Sequence, residues 1–167
     1  MTLLIRKLDK KIWLDKQISK DIGGLQADSL KNFRTSNNSL SVYLFDQSTI
    51  SEVRILAAIA SGRDNIAEID YAIFESNILE QIHLATGSSK GETADNLVND
   101  FHIDLVKLTT NQICSLAKFI QDNGELKRIS GKFITIALAE GLANGNLIKQ
   151  KINQKLIPKI EKSIKPD

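Results

Sequence analysis

The run LSVYLFDQSTISEVRILAAIASGRDNIAEIDYAIFES, residues 40–76, reads as strand, helix, strand. Its opening LSVYLF is dense in apolar, β-branched and aromatic residues, the composition of a pleated, half-buried surface. At its far end Ile69, Tyr71 and Ile73 alternate with Asp70, Ala72 and Phe74, a period of two. Between them Ile50, Val53, Leu56, Ala57 and Ala60 make the broad apolar face of a helix, with Ser48 as a cap and Gly62 as its end. Such a unit fits a right-handed crossover that sets residues 40–45 parallel to residues 69–74, and so implies a mixed sheet.

Working outward, residues 3–8 read as a further short strand, and residues 12–18 and 27–33 as short helices separated by Gly23-Gly24. Downstream, Ser76-Asn77 suits a turn and ILEQIHLA a returning strand, which together predict a hairpin. After GSSKGET the spacing becomes three and four: Ala94, Leu97, Val98, Phe101, Leu105 and Leu108 form one stripe. Ile113, Leu116, Ala117 and Ile120 form another, with Thr110 as cap and Asn123-Gly124 as stop. Ser130 introduces a helix over residues 133–142, and a last helix begins near Asn146. The expectation is an α+β protein: a small mixed sheet of about four strands with helices in the N-terminal half, packed on a C-terminal four-helix segment. Residues 1–86 would form the sheet part and residues 92–167 the helical part of one compact unit.

The chain of 167 residues is 42% apolar and 25% charged, ordinary usage for a chain that buries its own core. Its one cysteine, Cys114, excludes an internal disulfide, and the charged start MTLLIRKLDKK lacks the apolar core of a signal peptide. A cytoplasmic location is therefore expected, and no apolar run reaches the length of a membrane span. The net charge of +2 is unevenly distributed, because residues 144–167 carry six lysines against Glu161 and Asp167.

The wording ADSLKNFRTSNNSLSVYLF, residues 27–45, and the later HIDLVKL, residues 102–108, resemble segments of a family of small bacterial proteins of unknown function. That resemblance implies only that the loop at residues 34–38 recurs in a definite structural context. It carries no activity and no functional residue.

Candidate sites follow from chemistry alone. The loop residues Arg34, Thr35, Ser36, Asn37 and Asn38 offer a guanidinium, hydroxyls and amides for a phosphate or carboxylate, although Asn and Ser also favour plain turns. GSSKGET sits where a phosphate-cradling loop would, but lacks the glycine frame and Gly-Lys-Ser/Thr order, so it reads as a flexible connector. His83, His102 and Cys114, with Asp95 or Asp104, are at no metal-ligand spacing, and no metal or cofactor is expected. Cys114 borders an apolar stripe as a small buried thiol. The pairs Glu68/Asp70 and Glu75/Glu80 read as the wet face of a sheet rather than as an acid and base.

The last segment spaces Ile148, Ile152, Leu156, Ile160 and Ile164 four apart, with Lys151, Lys155 and Lys159 on the other side and Pro158 interrupting it. The expected function is a non-enzymatic bacterial accessory or neutralising protein, of immunity, antitoxin or defence type, acting on another protein. Its binding residues would be Arg34, Thr35, Asn37, Asn38, Lys151, Lys155 and Lys159. The alternatives are a nucleic-acid-binding module through the basic C-terminal helices, and a nucleotide-binding or hydrolytic enzyme using the loop of Arg34 and Asn38.

Overall fold

The computed structural model describes residues 2–21, 23–46 and 48–164. Lys165 and Asp167 of the basic end, and the side chain of Ile164, lie outside the described residues. The strands are β1 (Leu3–Leu8), β2 (Leu40–Phe45), β3 (Ile69–Glu75), β4 (Ala85–Gly87), β5 (His102–Val106) and β6 (Glu125–Ile129). The helices are α1 (Lys16–Asp21), α2 (Glu52–Ala60), α3 (Ile78–Gln81), α4 (Asn96–Asp100), α5 (Thr110–Asn123), α6 (Gly131–Ala143) and α7 (Ile157–Ile164). Segments of 3-10 helix occupy Lys11–Leu14, Ala27–Phe33 and Lys149–Lys151.

The strands form one six-stranded sheet in the order β4-β5-β2-β1-β3-β6, and every neighbouring pair is antiparallel. This corrects the expected mixed sheet of about four strands. β2 and β3 do run in the same direction, but β1 lies between them and pairs with both. The crossover through α2 thus skips one strand position, and its return strand finds an antiparallel neighbour already in place.

The helical C-terminal half is corrected as well, because β5 and β6 fall within it. β5 pairs with β2 and β6 with β3, so the two halves of the chain share one sheet. HIDLV alternates strictly: Leu105 enters the apolar layer on one face while His102 and Asp104 turn to the other. ELKRI forms an edge strand, and its charges suit an edge that must not recruit another chain. The expected strand ILEQIHLA is instead the one-turn helix α3, followed by His83 at φ 52° and then short β4. β4 pairs with β5, so β3 and β4 form no hairpin.

Both faces of the sheet are covered, which is why β3 is buried at six consecutive positions. On one side Ile5, Tyr71 and Ile73 pack against α2, Val98 of α4, α6 and α7. On the other, Leu4, Leu8, Val42, Ala72 and Phe74 pack against Leu14, Phe33 and the α5 residues Leu116, Ala117 and Ile120. The cap of α2 is three residues beyond the expected Ser48, that of α5 one residue before the expected Thr110, and that of α6 is the expected Ser130. Ser51 caps α2, Thr109 and Gln112 form a capping box on α5, and Ser130 caps α6.

The C-terminal segment is part of this core. Ile152, Leu156 and Ile160 are buried against α2 and α6, and Asn153 donates its backbone N–H to the Ser61 carbonyl at 2.8 Å. Pro158 was expected to interrupt a helix. It stands instead in the first turn of α7, where its missing N–H would have found no intrahelical acceptor. No helix among the described residues is long and apolar enough to cross a membrane.

Candidate functional site

Two Arg–Asp forks brace the fold, the first beside a cavity at the end of β1 and the second in a separate cleft between α2 and α6. Arg128 on β6 donates to Asp70 on β3 through Nε (2.6 Å) and Nη2 (2.9 Å), and Asp70 also accepts the Lys11 N–H at 2.9 Å. Burial by itself would push the Asp70 carboxyl up, but the Arg128 bonds, the Lys11 N–H and the nearby positive charge outweigh it and hold it below the usual range. Asp70 is therefore an internal brace rather than part of a wet sheet face, correcting that expectation. The second fork joins Arg54 of α2 to Asp95, whose carboxylate also caps α4.

Buried Asn32 completes the first brace. Its Oδ1 accepts the N–H groups of Asp9 and Lys10, and its Nδ2 donates to the Lys10 carbonyl. The chain leaving β1 is thus pinned through residues 9–11 by two buried polar side chains. Arg6, one residue before Lys7, has its guanidinium donating to the carbonyls of Ser41 (2.7 Å) and Asn32 (3.3 Å). Burial pushes the Arg6 pKa down to about 10.

Beside this pinned turn, where β1 ends and β3 begins, lies a cavity of about 620 Å³. Lys7, Asp9, Arg63, Asn65, Ile12 and Ile69 are among the residues that line it. Lys7 comes from the central strand, and Arg63 from the turn after α2, where its N–H bonds the Ala60 carbonyl. Both are half-buried, and neither side chain has an ion-pair or hydrogen-bond partner among the described residues. Burial lowers the pKa of each. For Lys7 the Arg63 charge adds to the effect, while Asp9 opposes it for both.

A second polar cluster invites a catalytic reading and fails it on geometry. Ser89 Oγ bonds Asp104 Oδ2 and also meets His102 Nδ1 at 3.0 Å. In a nucleophilic triad the imidazole stands between hydroxyl and carboxylate, using a different nitrogen for each. Here the hydroxyl itself contacts both, Nδ1 also faces the Ser89 carbonyl at 3.0 Å, and Nε2 is 3.9 Å from Asp104. The arrangement ties the GSSKGET loop to β5. Gly91 in that loop packs so closely that a Cβ would meet Asn99 Oδ1 at 2.8 Å. The segment expected to be a flexible connector is therefore fastened down.

The loop of Arg34, Thr35, Asn37 and Asn38 is a tight hairpin entrance to β2. Ser36 and Ser39 exchange both backbone hydrogen bonds, and Asn37 and Asn38 between them have φ of 52° and 56°. Two central residues with positive φ are the pattern of a two-residue type I′ turn, which Asn tolerates. Arg34 and Thr35 are exposed. We expect Asn38→Gly to raise the unfolding free energy by about 0.5 kcal/mol and Asn38→Val to lower it by about 1–2 kcal/mol. Arg34→Ala should stay within about 0.5 kcal/mol, all read by urea unfolding.

The predicted lysines diverge in role. Lys155 pairs with Asp64 at 3.1 Å, and Lys151 reaches Asn96 at 3.4 Å. Lys159, on α7, lines a crevice against α6 together with Lys132, Thr135 and Ile136. They are not gathered with the hairpin of Arg34 and Asn38, which is tied through Asn38 to Leu108. His83, His102 and Cys114 lie on three separate elements: the turn after α3, strand β5 and helix α5. No metal-holding group of three or more His, Cys, Asp or Glu occurs among the described residues.

Sequence reasoning missed the pairing of Lys7 with Arg63, and also the outward face of α6. That face carries Phe133, 64% exposed, and Ile136, 38% exposed. The only local signal for the cavity was a pair of cations inside LLIRKL, an otherwise apolar strand. No family model matches the chain, and no curated protein or solved structure matches it.

Proposed function

We propose that the chain is a non-enzymatic accessory protein, of neutralising or defence type, that works by binding another protein through the outward stripe of α6. Phe133 carries the reading, since a ring 64% exposed in the first turn of a well-capped helix leaves most of its apolar surface in water. Ile136 and Ala137 continue the stripe at three- and four-residue spacing, and Val53 of α2 and Ala137 line the same neighbouring cleft. Lys132 and Lys159 flank the stripe without ion-pair partners among the described residues. An apolar strip edged by free cations suits an acidic amphipathic helix of the partner.

Capture from the native cell, compared among the unaltered chain, Phe133→Asp and Lys159→Glu, tests this. Phe133→Asp should abolish capture and Lys159→Glu should weaken it, more at low salt than at high, while the melting temperature of each variant stays near that of the parent. Capture that survives Phe133→Asp sinks the proposal. Capture removed by nuclease puts nucleic acid in the partner's place, and a concentration-dependent dimer dissolved by Phe133→Asp puts a second copy there.

A further inference from the structure

We infer that the cavity at the end of β1 is a binding site for a small phosphorylated sugar, free or as part of a nucleotide, with Lys7 and Arg63 together receiving the phosphate. The other charges lining this cavity are largely committed. Arg128 is forked to Asp70 and also reaches Glu68 at 3.0 Å, while Asp64 accepts from Lys155 and from Asn153. Lys10 is exposed and holds its Nζ over the Trp13 ring, which leaves the half-buried Lys7 and Arg63 facing only Asp9 as a nearby countercharge, and Asp9 is exposed.

Lys7 and Arg63 carry eight N–H donors between them with no acceptor among the described residues, and the partial desolvation of each charge is offset only by Asp9 and by the water that still reaches it. Burial accordingly lowers the pKa of both groups, with Asp9 opposing it. A dianionic oxyanion supplies the acceptors, taking a point charge from Lys7 and a planar fork from Arg63. The two side chains come from separate elements, and the neighbouring turn is fixed by Asn32 and Asp70, so the cavity rim is set before a ligand arrives.

The rest of the lining describes the body of the ligand. Leu8 and Ile69 are buried at its floor, and Ile12, 54% exposed, stands as an apolar rim. Asp9 and the Asn65 amide supply acceptors and donors for hydroxyl groups. A volume of about 620 Å³ lies within the range of small-molecule sites, and is larger than an inorganic ion needs.

The test uses ribose 5-phosphate and adenosine 5′-monophosphate as probes, with ribose and citrate as controls, by calorimetry and thermal shift on the full chain. One or both phosphates should raise the melting temperature, and ribose should not. Lys7→Met and Arg63→Gln should each weaken binding at least tenfold, while the ligand-free melting temperature stays the same or rises, because a partly desolvated charge has been removed. Binding should also weaken between pH 7 and pH 5, as the phosphate takes up its second proton near pH 6. Binding of neither phosphate overturns the inference, as does binding that survives the double variant. Citrate binding as tightly with the same dependence on Lys7 and Arg63 overturns the phosphate assignment. A fall of several degrees in the ligand-free melting temperature of Lys7→Met would make Lys7 a structural residue and overturn its role. The proposed partner face on α6 is untouched by either variant, so the two readings fail separately.

Discussion

Leu156→Asp is expected to lower the unfolding free energy by about 4 kcal/mol, enough to unfold much of the population of a marginally stable domain. Leu156 is 2% exposed and packs with Ile152 and Ile160 into the layer formed by α2 and α6. Truncating such a residue removes its burial and leaves a cavity, and an aspartate adds a charge with no partner in that layer. Lys151→Ala and Lys155→Ala should each stay within about 0.5 kcal/mol. Lys155 and Asp64 are 68% and 72% exposed, and exposed pairs contribute little. Chemical denaturation of the three variants decides the matter. If Leu156→Asp costs less than about 1 kcal/mol, the basic end is not docked on its own domain, and the sequence-level alternative of a free partner-seeking helix returns.

That segment shows what the sequence disclosed and what it hid. The four-residue spacing of Ile148, Ile152, Leu156 and Ile160 was legible as an apolar face, and burial of three of them follows from it directly. The helix that carries them was misplaced, because a proline reads as a break unless its position in the first turn is known. Strand β3, helix α5 and helix α6 were legible for the same reason: each has a clear period and a polar boundary. β5 was not. Val98, Phe101, Leu105 and Leu108 sit at helical spacing by coincidence, across a change from α4 to β5 that falls at Phe101 and His102. The competing period of two was present in Ile103 and Leu105 against His102 and Asp104, but five residues are too few to outweigh the longer stripe. β6 was hidden by its edge position, which favours the charges that make ELKRI look like a loop. Beyond the two cations inside LLIRKL the cavity left no local signal, because Lys7 and Arg63 come to line it together only once α2 has crossed the sheet.

Asp95→Ala is expected to destabilise the protein by about 3 kcal/mol, the second-largest effect foreseen. Asp95 is 1% exposed and accepts four hydrogen bonds: Arg54 Nε at 2.6 Å, Arg54 Nη2 at 3.0 Å, and the N–H groups of Leu97 and Val98 at 3.0 and 3.3 Å. The last two cap α4, a contribution of about 1 kcal/mol. The remainder comes from stranding the Arg54 guanidinium, which is only 30% exposed and touches the cleft between α2 and α6. Partial access to water keeps this below the full penalty for a buried charge. Asp95→Asn separates the two contributions, since an amide oxygen still caps α4 but cannot accept a charged fork as a carboxylate does. It should cost about 1–2 kcal/mol. Arg54→Met, combined with each Asp95 variant, gives the coupling energy directly through a double-mutant cycle, expected at about 1.5–3 kcal/mol. Equal losses for Asp95→Ala and Asp95→Asn, with no coupling to Arg54, would refute the fork as the clamp between α2 and α4 and leave capping as the whole contribution of Asp95.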